Sequence, residues 1–489
     1  PPDLKWNSAF PVAGPISVHG GNITVNESLT STVVGADILL KASGNIHLAA
    51  GKSVQTDGGD ITSWSNTDDN GGHIYLLDST RLDSRSVSVR TAANTSNASG
   101  GGAITLGGGS ASTMLASGTV VPTGYAWQVD GAITSGVVLG TTAGHNAGIQ
   151  ILSGGGDIAI RGKSTAGFGG VRTGIGAFEG MVVDAGAAGD ITIAGESATG
   201  VAGVAGVDLV AFRNGSASST FRTHDGDIRV TGVVTGSGNG NGAQIAAHPG
   251  EPGALIVTGA GSITFDGTVA GVGAGVFFSS AHLLAASGAI EVSGNSLTTG
   301  TVDGYGNGSN VIGSLASSSV TSSTSAIKIA ADSLSVAANN GFAFNTTGAV
   351  AIIPKGDDFT SAVSVSSDFA FANGITGLTI GKSATSADGT SDADVTFGNA
   401  ITITGPISVY GGAVRVKGDL TTTGGGASGT ITLQATGNIF FEKTSAQSLT
   451  ASGATIDLKG DVVIANTSGI AITTGGGDLL FRSKLNSSQ

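Results

Sequence analysis

The feature that most constrains this chain is a five-residue unit recurring from end to end: a small or turn residue, often Gly followed by Asp, Asn or Ala, then apolar, any residue, apolar. It reads Gly21-Asn22-Ile23-Thr24-Val25, Gly44-Asn45-Ile46-His47-Leu48, Gly102-Ala103-Ile104-Thr105-Leu106, Gly156-Asp157-Ile158-Ala159-Ile160 and Gly189-Asp190-Ile191-Thr192-Ile193. It returns at Gly226-Asp227-Ile228-Arg229-Val230, Gly288-Ala289-Ile290-Glu291-Val292, Gly429-Thr430-Ile431-Thr432-Leu433 and Gly477-Asp478-Leu479-Leu480-Phe481. Alternation of period two entered through a turn marks a short strand with one buried face. Apolar residues at helical spacing over three turns are hard to find, and the Gly, Ser and Thr load opposes a helix, so no α-helix is expected.

The Ile of the unit falls at 74, 104, 133, 158, 191, 228, 263, 290 and 327, one every 25 to 37 residues through the middle of the chain. That spacing is too long for a hairpin meander. It predicts the coils of a β-solenoid, each giving the same strand to one sheet, with insertions lengthening some coils. The expected fold is all-β, a parallel β-helix with stacked Ile, Val and Leu pointing inward and Thr, Ser, Asp and Arg pointing out. About twenty coils at about 4.8 Å each would make an elongated rod of about 100 Å. Excursions from it are expected at Ser65 to Gly72, Asn94 to Gly102, His248 to Gly253, Asp303 to Asn310 and Ser383 to Asp394, all rich in turn residues.

A longer period is also present. Gly14-Pro15-Ile16-Ser17-Val18-His19-Gly20-Gly21 returns as Gly405-Pro406-Ile407-Ser408-Val409-Tyr410-Gly411-Gly412, and the match continues through Val25/Val416, Leu29/Leu420 and Thr30/Thr421. At nearly the same offset, Ile38 to Ile46 pairs with Ile431 to Ile439. Two matches in order and near-constant register point to a module of about 391 residues: one copy over 1–391, and over 392–489 the start of a second, continuous with the same solenoid. A tandem array is the expected context.

Composition narrows the function. The 84 Gly come without a collagen triplet period, and the 39% hydrophobic fraction is too high for a disordered polymer. The formal net charge of −13, with only 21 Lys and Arg spread thinly, supplies no basic stripe for nucleic acid or anionic lipid. With Cys 0 there is neither a disulfide framework nor a thiolate metal site. No apolar run reaches the length of a membrane span, so membrane insertion is not expected. Pro1 to Phe10 lacks the basic start and apolar stretch of a signal peptide, so a secreted protein would hold this chain as an interior or processed piece.

The Gly-Asn-Ile and Gly-Asp-Ile units, the richness in Ala, Gly, Thr and Ser, the absence of Cys and the large internal repeat together resemble the filamentous-haemagglutinin-like large exoproteins of Gram-negative bacteria. The resemblance spans nearly the whole chain. It implies a right-handed parallel β-helix, export through an outer-membrane transporter or as an autotransporter passenger, a secreted or cell-surface location, and roles in adhesion, biofilm or extracellular filaments. The partners expected are adjacent copies of the module, self-association end to end, and host or surface glycans. A polysaccharide-binding or polysaccharide-degrading β-helix is the alternative.

An enzyme of that kind needs an active site, and two polar stretches are its candidates. Asn66-Thr67-Asp68-Asp69-Asn70-Gly71-Gly72-His73 resembles fragments of the polygalacturonase signatures, which in that family sit on successive coils and so stack their carboxylates. Eight consecutive residues cannot stack that way, and a polar loop is expected. Arg222-Thr223-His224-Asp225-Gly226-Asp227-Ile228-Arg229 combines a His, carboxylates and Arg, but adjacent strand residues face opposite ways, so a corner loop followed by an outward Arg is expected. Asp357-Asp358 and Asp392 with Asp394 read as solvated turns rather than calcium sites, and Gly236 to Gly242 precedes neither a Lys-Ser/Thr pair nor a helix. Ile-Thr-Ile units at 191 and 401 hint at an ice-binding Thr array, yet outward residues at equivalent positions vary too much to form one. No catalytic, metal or cofactor residue is nominated, and the chain is expected not to be an enzyme.

Overall fold

The fold is described from a computed structural model, which covers the chain except residues 91–98, 130–134, 141–147, 166–172, 179, 200–202, 212–217, 248–253, 301–308, 384–392 and 488–489. The described residues are almost entirely strand and turn. A single helical turn, Val87–Arg90, and a 3-10 turn, Gly426–Gly429, are the helical elements among them. The chain falls into two compact units, Pro1–Leu283 and Leu284–Gly300 with Ser309–Gln489.

In the first unit each coil contributes three short strands to three parallel sheets. One coil runs through Ile16–Gly20, Ile23–Val25 and Leu29–Val34 before Ile38–Ala42 begins the next. Ile38–Ala42 lies in register on Ile16–Gly20, Ile46–Leu48 on Ile23–Val25, and Val54 on Leu29. We call the sheets containing Ile23–Val25, Leu29–Val34 and Ile16–Gly20 the first, second and third. The chain is a parallel β-helix.

Inward residues form continuous columns. On the third sheet Ile38, Ile61, Ile104, Ile158, Ile191, Ile228 and Ile263 follow one another coil by coil, and all are fully buried. Burial of each such side chain stabilises the fold by about 1.5–3 kcal/mol. The residues between them are turned outward and are more exposed. In the second unit Ile290, Ile327, Val350, Leu378, Ile407, Ile431 and Ile456 make the same kind of column. The two segments matched by the long repeat pair alike: Ile407–Gly411 carries Ile431 onward and Val414–Val416 carries Ile439 onward, as Ile16–Gly20 and Ile23–Val25 carry their successors.

The recurrent Gly-Asx prefix now has a physical cause. A methyl group on Gly226 would overlap the carbonyl oxygen of Gly189, one on Gly189 that of Gly156, and one on Gly156 that of Gly102, so successive corners touch backbone to backbone. The next residue staples the coils. Asp157 Oδ1 accepts from the Asp190 N–H (2.9 Å), Asp190 Oδ1 from Asp227 (2.8 Å), and Asp227 Oδ1 from Ser262 (2.7 Å). Asn22 and Asn45 do the same at another corner, for the N–H groups of Asn45 (2.8 Å) and His73 (3.0 Å).

Those two corners differ, which corrects part of the sequence reading. The units at 21–25 and 44–48 belong to the first sheet, whereas those at 156–160, 189–193 and 226–230 belong to the third. Ile74 likewise pairs with Ile46 and Val137 on the first sheet, so the series of Ile positions does not follow one strand; Ile133 lies outside the described residues. Outside the middle of the chain some coils are tighter than 25 residues, Leu4 to Ile23 and Val395 to Val414 each being 19 positions.

Of the expected excursions, His248 to Gly253 and most of Asp303 to Asn310, Ser383 to Asp394 and Asn94 to Gly102 lie outside the described residues. Ser65 to Gly72 is a turn. An excursion absent from the sequence reading is the antiparallel hairpin of Ile104–Met114 with Val120–Gly124. Its tip returns over earlier coils: Ser117 Oγ donates to Asp60 Oδ2 (2.6 Å), Thr119 Oγ1 to Asp37 Oδ2 (2.9 Å), and the buried Trp64 Nε1 donates to Gly109 O (2.7 Å).

Candidate functional site

Where the Asp staples meet the third sheet, three successive coils place equivalent residues side by side: Asp190-Ile191-Thr192, Asp227-Ile228-Arg229 and Ser262-Ile263-Thr264. The inward Ile side chains belong to the core, and the residues on either side of each face outward. Between them lies a groove of about 190 Å³ lined by Asp190, Thr192, Asp227, Arg229, Ser262 and Thr264 together with Ile191 and Ile228. One oxygen of each Asp is committed to the next coil, which fixes the carboxylate and leaves its second oxygen to accept from a ligand. The Thr hydroxyls and the Arg229 guanidinium donate. This mix of donors and acceptors suits a polyhydroxylated ligand, and the lining contains no His to serve as a general base.

The groove takes in the last three residues of the 222–229 stretch. The remainder of that stretch is structural. Arg222 pairs with the buried Asp184 (2.7 Å), and Thr223 Oγ1 donates to Gly189 O (2.9 Å). His224 Nδ1 meets Asp225 Oδ1 (3.2 Å) at an exposed corner.

Asn66 to His73 closes a tight turn. Asn66 and Asp69 take positive φ (54° and 60°), Asn66 Oδ1 accepts from Gly71 N–H (2.6 Å), and Asp69 Oδ1 accepts from Ser110 N–H (3.0 Å). Asp68 is exposed, and a hydrogen bond from Asn70 holds its carboxyl below the usual range. His73 is buried with its Nε2 2.7 Å from that of His47 on the preceding coil. These carboxylates do not stack across coils.

Asp358 and Asp394 also cap backbone, accepting from the N–H groups of Ala393 (3.1 Å) and Ala413 (2.8 Å); Asp392 lies outside the described residues. Among the described residues no group of three or more His, Asp or Glu side chains is disposed to hold a metal ion. Gly236 to Gly242 leads into the strand Asn241–Ala247. The outward row containing Thr192 reads Ala159, Thr192, Arg229 and Thr264, not a Thr array.

Asp83 and Asp208 are two of the buried carboxylates that the sequence reading did not mark. Asp83 is enclosed between Arg81 (2.6 Å) and Arg85 (2.9 Å). Burial raises its pKa, but the hydrogen bond and charge of Arg85, with the charge of Arg81, outweigh that and hold it below the ordinary value. Asp208 is buried on the first sheet and hydrogen-bonded to Gln244, and its Oδ1 has no partner among the described residues. Burial pushes it up to about 7. The Arg-x-Asp-x-Arg spacing at 81–85 was a readable signal for the first. Nothing local to Val207-Asp208-Leu209 marks the second.

No family model, curated protein or solved structure matches this chain. No helix among the described residues is long and apolar enough to cross a membrane.

Proposed function

We propose that this chain is a structural and adhesive segment of an exported bacterial surface protein, working as a β-helical stalk in a tandem array and not as an enzyme. The observation that carries the reading is the triple stapling of successive coils between Gly156 and Ile263: an apolar column inside, glycine backbones in contact at the corner, and a carboxylate spanning to the next N–H. Such a solenoid resists extension coil by coil without disulfides. Lateral pulling on the full chain in a single-molecule experiment should give high unfolding forces in a saw-tooth of coil-sized steps. A single low-force release would contradict the stalk role.

A polysaccharide-binding role is the second reading, favoured by the groove at Asp190, Asp227 and Arg229. Retention on a glycan array without release of reducing or unsaturated sugars supports it. Sugar release abolished by Asp190→Asn or Asp227→Asn would instead establish a polysaccharide-degrading enzyme.

A further inference from the structure

The chain has only 3 Trp and 4 Tyr, yet Tyr125 and Trp127 stand two residues apart beside the third sheet, both half-buried. Trp127 lies in register with Lys163, and Lys163 with Glu196, to which it is ion-paired (2.7 Å). Two positions before Lys163, Arg161 also faces outward and is half-buried.

Arg161 is the unusual group. Its strand neighbour on the next coil is Ala194, and on the preceding coil the missing Cβ of Gly107 would have come 3.9 Å from Arg161 Cβ, so small residues flank it on both sides. It makes no ion pair among the described residues, although Glu196 is two positions along the next coil. Burial lowers its pKa and the neighbouring Tyr125 raises it. The Tyr125 phenol is pushed up chiefly by burial and further by Glu196, against Arg161 and Lys163, so these four groups share one electrostatic neighbourhood. A partly desolvated guanidinium without a counter-ion is costly, and a bidentate carboxylate is the partner its planar fork fits. The buried indole N–H of Trp127 finds no acceptor among the described residues.

We propose that the outward face that coil register builds from Arg161, Tyr125 and Trp127 binds a carboxylated saccharide of the uronate class. Arg161 grips the sugar carboxylate, and the aromatic rings take the apolar face of the sugar ring. The strand Ile158–Ser164 is hydrogen-bonded along both edges, to Ile104–Met114 and Ala126–Gln128 on one side and Ile191–Ser197 on the other. It therefore offers no edge to an extended peptide, and recognition here rests on side chains. The inference rests on the adhesive half of the function proposed above and names its ligand class.

The test is titration calorimetry of the full chain with oligogalacturonate and with the same oligomer methyl-esterified. The carboxylated form should bind at least tenfold tighter. Arg161→Gln should lose at least tenfold and Arg161→Lys less, with circular dichroism and melting unchanged, while the remote Lys459→Gln binds as the parent does. Equal affinity for acid and ester, undiminished binding by Arg161→Gln, or equally tight Arg161-dependent binding of poly-glutamate overturns the inference. Binding lost in Arg229→Gln but kept in Arg161→Gln moves the ligand to the groove, which overturns this site and leaves the adhesive reading standing. Binding to neither oligomer removes the site and leaves only the stalk.

Discussion

Asp208 and Gly226 bring the fold down to single atoms. A buried carboxyl with one unpartnered oxygen favours its proton, so its folded pKa of about 7 stands above the ordinary value of 3.8. The native state therefore binds the proton over a range where the unfolded chain does not. The contribution of Asp208 is fully present below about pH 4, falls as pH rises toward 7, and is flat above. Asp208→Asn should stabilise the protein at pH 8 by on the order of 2–4 kcal/mol and leave it nearly unchanged at pH 4, read from denaturant midpoints. A variant as pH-dependent as the parent would show that the site is open to water. Asp83 has the opposite sign: its depressed pKa stabilises the fold above the unfolded value, and that contribution is lost as acid protonates it. Asp83→Asn leaves the buried Arg85 charge uncompensated and should cost about 3–5 kcal/mol at neutral pH. At Gly226, where an added methyl meets the Gly189 carbonyl, Gly226→Ala should cost about 1–3 kcal/mol, whereas Gly51→Ala meets no atom and tests backbone strain alone.

At the scale of elements, strands of three to seven residues hold because each lies between two like it. Truncating Ile228 removes one plate from a column touching Ile191 and Ile263, and Ile228→Ala should cost about 2–5 kcal/mol. Asp190→Ala and Asp227→Ala, each removing one staple, should cost about 0.5–2 kcal/mol. Strand type and inward phase were legible in the sequence because Gly-Asp-Ile-x-Ile states a turn, a staple and an alternation in five residues. Sheet membership was not. Gly44-Asn45-Ile46 and Gly156-Asp157-Ile158 look alike because both answer the same corner geometry, but they answer it at different corners. Second-sheet strands such as Arg81-Leu82-Asp83 carry no such prefix, so a coil of three strands read as one strand and a long connection. The hairpin at 104–124 was hidden because Gly107-Gly108-Gly109 reads as a break, whereas the structure uses those glycines for close approach to Gly124 and Tyr125.

For the molecule as a whole, composition and repeat foretold the β-helix but not where a ligand would dock. The groove residues Asp190, Asp227 and Ser262 are 37 and 35 positions apart in the chain, and Arg161 and Tyr125 are 36 apart, so neither site is a motif. They become neighbours only through coil register. Register is therefore the claim on which fold, groove and saccharide site all depend, and the absence of Cys allows it to be read directly. Thr192 and Arg229 lie opposite each other on successive coils, at the spacing of adjacent strands, which a disulfide spans. Under mild oxidation the double variant Thr192→Cys with Arg229→Cys should form an intramolecular disulfide in most molecules, whereas Thr192→Cys with Val233→Cys, displaced four positions along the same strand, should form almost none. Equal cross-linking of the two pairs, or none in the first, would contradict the parallel register.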